Sequence, residues 1–118
     1  MLLKQRDVVE VYFPFPDGVN SPHPVIVLSV QSVLNCEHTF IGIPISHSKE
    51  YNENKFSFPL YNHYFINRLI YENSHARLHL ITNLRLSDVT NKKVLNEMKE
   101  EWFLRLFDEI QTSIFGCM

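Results

Sequence analysis

At 118 residues, with 45% hydrophobic and 20% charged side chains and only 3 glycines, the chain has the composition of one globular domain around a single core. A formal net charge of -2 excludes any overall electrostatic attraction to nucleic acid and leaves only local patches to supply it. The 2 cysteines, Cys36 and Cys117, make neither a CxxC pair nor a disulfide framework, which fits a reducing cytoplasm; Cys117 is expected in a frayed tail.

Residues 1–3 are apolar, but Lys4, Arg6 and Asp7 follow directly, so no signal-peptide core is expected there. Val8 to Phe15 is rich in β-branched and aromatic residues and predicts a first strand, closed by a turn through Pro14, Pro16, Asp17 and Gly18. Val19 to Pro24 contains Asn20, Ser21, Pro22 and Pro24 and reads as a loop. Pro24 to Val30 is a nearly continuous apolar run, which predicts a strand buried on both faces. That run is far too short to span a bilayer, and no membrane role is expected. Thr39 to Ser46 predicts a third strand, bent or at a sheet edge because Pro44 has no amide donor. Phe56 to Leu60 predicts a short fourth.

From Asn62 to Asn73, Phe65, Leu69 and Ile70 suit a short helix or a strand equally. Ala76, Leu78 and Leu80 alternate with His75, Arg77 and His79, the pattern of a half-buried strand running on towards Leu86. The period then changes. Met98, Trp102, Leu106, Ile110 and Ile114 recur every fourth residue, with Phe103 and Phe107 widening the stripe, which predicts a C-terminal helix stopped near Gly116. Lys92 to Glu97 fits either its first turns or a short preceding strand. Glu101–Arg105 and Arg105–Glu109 have the spacing of favourable ion pairs. Trp102 and the two phenylalanines are expected to pack against the sheet rather than to hold a cofactor. The fold class is therefore mainly β with a C-terminal helix (α+β): an antiparallel barrel or strongly curved sheet, single-domain over residues 1–118.

Candidate chemistry is sparse. His75, Arg77 and His79 share one face of their predicted strand, either a solvent face or, with Arg85 and nearby aromatic rings, a nucleic-acid face that Lys92 and Lys93 extend. The two histidines are poor metal ligands, because i,i+4 on a strand separates them by roughly 13 Å. No H-E-x-x-H or cysteine-rich metal spacing occurs, and no metal or other cofactor is expected. Asp7 and Asp17 are expected to cap turns or fix the first loop through backbone amides.

Arg6-Asp7-Val8-Val9, Phe13-Pro14-Phe15-Pro16-Asp17-Gly18 and His23-Pro24-Val25-Ile26-Val27-Leu28-Ser29 follow one another in an order and spacing that resembles the opening of PemK/MazF-like proteins. In that family G-D-[IV]-V leads into P-F-P-F-[ST]-D-G and then R-P-[AV]-L-V-L-S. Further on, Ile43-Pro44-Ile45-Ser46 resembles a family strand ending in Thr or Ser. Ile81 to Val89, with Leu84-Arg85, resembles a later strand containing I-R. The resemblance is strong over residues 6–30 and weaker elsewhere, and residues 50–75 match poorly.

These relatives are toxins of bacterial toxin–antitoxin pairs. The resemblance implies a small SH3-like barrel of the MazF/PemK/CcdB type, typically a cytoplasmic homodimer. It also implies metal-free endoribonuclease activity on single-stranded RNA and a cognate antitoxin that blocks the groove. In the family an arginine in the first loop and a hydroxyl at the end of the third strand lead the chemistry. Here His23 stands at the arginine position and Ser46 at the hydroxyl position, so these are the catalytic candidates. Asp17, His47, His75, Arg77, His79 and Arg85 are the substrate-binding candidates. His23 lacks the fixed charge and donor fork of arginine but shuttles protons near neutral pH. Ser21 and Pro22 before it also remove basic companions, weakening phosphate attraction. The alternatives are an idle loop histidine, an ordinary turn serine and a catalytically silent protein- or nucleic-acid-binding module. Gyrase inhibition by a protein of the same fold has no motif in this chain.

Overall fold

The computed structural model describes residues 2–47, 56–69 and 73–116; Ser48, Ile70 and Cys117 lie outside them. Strand β1 (Asp7–Pro14) turns back into β2 (Asn20–Val27), and a short helix α1 (Gln31–Glu37) leads to β3 (Thr39–Ser46). After β4 (Ser57–Pro59) a single 3-10 turn occupies Asn62–Tyr64, followed by β5 (His75–Arg77), β6 (Thr82–Arg85), β7 (Val89–Glu97) and helix α2 (Glu100–Ser113). The strands form one antiparallel sheet in the order β4-β5-β3-β2-β1-β7, with β6 also on β3.

The sheet does not close into a full barrel. Strands β4 and β7 stay at its two ends, and the gap is spanned by the isolated bridge Phe65↔Met98. Around it Ile66 N donates to Glu97 O (2.9 Å) and Lys99 N to Tyr64 O (2.8 Å). The buried Asn96 amide accepts from Asn67 N and donates to Asn67 O, both at 3.0 Å. Residues 62–67 are thus a 3-10 turn followed by an extended stretch clipped to β7, which resolves the first part of the Asn62–Asn73 segment that suited helix or strand; residues 70–72 lie outside the described ones.

Strands β1, β2 and β3 are covered on both faces. Val8, Ile26, Ile43 and Ile45 pack with Phe103, Leu106 and Ile110 of α2 on one side. Val9, Val11, Val25 and Phe40 pack with Leu34 of α1 and Leu84 on the other. This is why β2 ends as a run of apolar residues rather than an alternation. Gly42 lets β3 and β2 come close: a Cβ there would lie 2.4 Å from Val25 Cγ1.

Two sequence expectations change, and two that were open between alternatives are narrowed. The expected loop at residues 19–24 is mostly strand, for Asn20 to Pro24 pair with β1 in register with Pro14 to Glu10. Pro44 is not at an edge; β3 is paired on both sides. The strand expected from His75 to Leu86 is broken by a 3-10 turn at Leu78–Leu80. Seven residues along β3, from Thr39 to Ile45, are matched by ten on the returning chain, from Arg85 back to Ala76, and the turn takes up the excess. Lys92 to Glu97 belongs to β7, so α2 starts after Met98. Helix α1 was not legible: seven residues with only Leu34 buried leave no periodic signal.

Candidate active site

The placement of three prolines explains where the sheet opens. Val27 O accepts from Arg6 N and Leu28 N donates to Ile41 O, so even-numbered residues of β2 aim their backbone groups at β3. Pro22 and Pro24 fall in that set and have no N–H to offer. The β2–β3 ladder accordingly stops at Val25↔Pro44. On the other side of β3, Pro44 falls between the stretch paired with β6, which ends at Gly42, and the stretch paired with β5, which begins at Ile45. Each missing donor lies where no strand needs it.

Beyond the last rung, continuing the β2–β3 register by two residues sets His23 opposite Ser46. Ser46 in turn pairs with His75 on β5. Side chains on a row across adjacent strands point to one face, so His23, Ser46 and His75 share the face that carries Val25 and Phe40. Arg77 lies two residues from His75 on that same face. The uncoupled ends of β2 and β3 border two cavities that have His23, Ser46 and His47 in common. One, of about 310 Å³, is completed by Glu10, Arg68, Leu69, Ser74 and Asn96 among others. The other, of about 240 Å³, is completed by Phe15, Asp17, Val19, Ser21 and Arg77.

The side chains are held from below. The His23 ring sits edge-on to Phe15 with centroids 4.7 Å apart, and its Nδ1 lies 3.3 Å from the Ser21 hydroxyl. Asp17 Oδ1 accepts from Val19 N at 2.9 Å, fixing the hairpin turn in which Gly18 takes a φ of 87°. Asp7, equally a backbone anchor, accepts from Lys4 N at 2.9 Å. Ser46 and His75 are buried, Arg77 is half-buried and His47 is exposed. His75 Nδ1 donates to Asn73 O at 3.2 Å. Burial pushes the His75 pKa down, opposed by that hydrogen bond and reinforced by the charges of Arg77 and His47. The imidazole is therefore neutral at pH 7.

Not every candidate converges. His79 is exposed against Phe56, ring centroids 5.4 Å apart, with its pKa lowered by burial and then by Arg77, and it borders neither cavity. His75, buried in that row, also borders neither. His75 and Arg77 keep their shared face, but His79 leaves it because the 3-10 turn begins right after Arg77. Arg85 pairs with Thr39 at the far end of β3, about 23 Å along the strand from Ser46, and holds Asp88 at 3.1 and 3.2 Å. Lys92 donates to Leu86 O near that same end. Arg68, Ser74, Asn96 and Glu10 joined the site without any sequence signal; Arg68 sat in the segment with no clear period. Among the described residues no cluster of three His, Cys, Asp or Glu side chains is arranged to hold a metal ion, and no helix is long and apolar enough to cross a membrane.

Solved structures share this architecture. MazF from Deinococcus radiodurans matches with a TM-score of 0.73 and 13% identity, covering 98% of each chain. The Mycobacterium tuberculosis toxin MazF-mt6 matches with a TM-score of 0.71 and 12% identity over 96% of this chain and 99% of its own. An endoribonuclease in complex with its cognate antitoxin, from a mycobacterial species, gives 0.68 and 7% identity over 99% and 96%. No family model and no curated protein matches the chain. The chain has the fold of MazF toxins, with little of their sequence.

Proposed function

We propose that this protein is an endoribonuclease of the MazF toxin type that cuts single-stranded RNA without a metal ion. One observation carries the reading: on a MazF fold, His23 from β2, Ser46 from β3 and Arg77 from β5 border one cavity where the ladder has come apart. The reaction is attack of a 2′-oxygen on the adjacent phosphorus with loss of the 5′-oxygen, giving a cyclic phosphate. It requires a base for the 2′-proton, an acid for the leaving oxygen and donors for the charged phosphate. His23 suits proton transfer, the Ser46 hydroxyl donates to a phosphate oxygen, and Arg77 supplies the fixed fork of donors that the His23 position lacks. Asp17 shapes the turn, and His47 stands at the mouth of both cavities, where it contacts substrate. The same reading makes the protein cytoplasmic and homodimeric, with a cognate antitoxin that fills the cleft, as the antitoxin-bound neighbour suggests.

The test is cleavage of mixed-sequence single-stranded RNA in the presence of a chelator, beside His23→Ala. Cutting by the wild-type protein and its loss in the variant are expected. No cutting by either protein, at concentrations where a MazF enzyme cuts, overturns the reading in favour of a silent binding module.

A further inference from the structure

Resting on that reading, we propose a separate subsite beside the cleft that stacks an unpaired base of the same RNA strand. Its floor is a ring pair: Tyr64 lies on Trp102 with centroids 4.1 Å apart and planes 13° from parallel. Two further rings stand at the surface around it. Tyr61 is 53% exposed and meets Tyr64 edge-on at 5.3 Å, and the exposed His63 meets Trp102 edge-on at 5.2 Å. Tyr61 and His63 are themselves nearly parallel, 16° apart in plane with centroids 6.0 Å apart.

The platform is rigid and adjoins the cleft on two sides. Tyr64 is fixed to the start of α2 through Lys99 N, and Trp102 N donates to Lys99 O. Asn62 Oδ1 accepts from Leu69 N at 2.9 Å, and Leu69 and Arg68 line the larger cavity. Leu60 N donates to the carbonyl of Ser74, another wall residue. The rings therefore begin within a residue or two of the cavity wall.

Charge selects the occupant. The helix neighbours of Trp102 three residues either way are Lys99 and Arg105, and Arg68 lines the larger cavity. The Arg105 guanidinium lies 4.6 Å from the Trp102 ring centroid rather than pairing with Glu101 or Glu109. Exposed rings flanked by cations on a path leading from a phosphate-handling cleft are the elements of single-strand recognition, in which bases stack and arginine adds cation–π attraction. Glu100, Glu101 and Asp108 point to other sides of α2, and Glu109 lies two turns on.

The only tryptophan of the chain reports on the site. Its fluorescence is followed while the full-length protein is titrated with a single-stranded 2′-O-methyl oligonucleotide of about 12 nucleotides, which cannot be cleaved. Quenching is expected, together with an affinity loss of about tenfold or more in Tyr61→Ala/His63→Ala and retained affinity in Tyr61→Phe. Unchanged affinity in the double variant overturns the subsite. So does unchanged affinity accompanied by a shift from dimer to monomer in sedimentation, which assigns the rings to a contact between copies. Failure of the enzyme reading is distinguishable: RNA is then left uncut while the quench and its dependence on Tyr61 and His63 persist.

Discussion

Ser46 faces His75 across the β3–β5 ladder, and both side chains are buried where the ladder between β2 and β3 has already ended. A neutral imidazole thus lies beside the hydroxyl that lines the cleft, with Arg77 two residues along the same strand. The fixed positive charge comes from β5, so the absence of arginine at residue 23 leaves the cleft with a cation.

The buried histidine makes stability depend on pH. Its pKa is lowered on folding, so the unfolded chain binds more protons below about pH 6.5, the ordinary histidine value. Stability is full above that value and falls as the pH drops through it, down to the lower folded pKa. Urea unfolding from pH 7.5 to 5 should show this decline, with His75→Gln flattening its histidine component. An equally steep decline in the variant would assign the effect elsewhere.

Arg77 should matter to rate more than to binding. Arg77→Ala is expected to lower kcat by about 10²–10³-fold, the usual effect of losing one donor to a developing charge. Arg77→Lys should recover only part, because a point charge remains and the planar fork does not. Steady-state cleavage of a short RNA separates kcat from KM; a pure KM effect would reduce Arg77 to a docking residue.

Gly42 tests the close approach of β3 to β2. Gly42→Ala puts a methyl 2.4 Å from Val25 Cγ1 and 3.2 Å from Leu84 Cδ1, and overpacking of this kind costs about 1–3 kcal/mol. Adding Val25→Ala removes the worst contact. Chemical denaturation of both singles and the double should therefore give less destabilisation than the sum.

Asn96 clips the Phe65–Asn67 stretch to β7, accepting from Asn67 N and Glu97 N and donating to Asn67 O. Asn96→Ala strands those groups and should cost about 1–3 kcal/mol. Amide exchange at Asn67 and Ile66 should accelerate more than exchange at Val9, which is fully buried in β1. Uniform acceleration would mean the clip has no local role.

What the sequence made legible follows from where periodicity is strong. Strand β3 was read at its true bounds because several apolar positions are in phase; of the helix stripe Met98, Trp102, Leu106, Ile110 and Ile114 with Phe103 and Phe107, Phe103, Leu106 and Ile110 are the buried residues of α2, whereas Phe107, expected to pack against the sheet, is exposed. The convergence of His23 and Ser46 on the same cavities was reachable only through the family resemblance, since residues 23 apart are brought together by a sheet topology that no local pattern encodes. Pro22 and Pro24 misled for a definite reason: spaced by two, they leave the β1 side of the strand free to pair. Arg85 misled because alternation continued on paper past Leu78, where the backbone turns. Arg68 and Asn96 came from the segment and strand whose side chains carry no repeating signal.

The donor-free rim at Pro22 and Pro24 has one more consequence. A sheet whose ladder ends early normally offers a template for strand exchange and for aggregation through added strands. Here the template can accept hydrogen bonds through carbonyls but gives none at residues 22 and 24, so an incoming backbone cannot zip onto β2 in register. The cleft can stay open to solvent without inviting β-augmentation, and whatever enters it must be recognised through side chains.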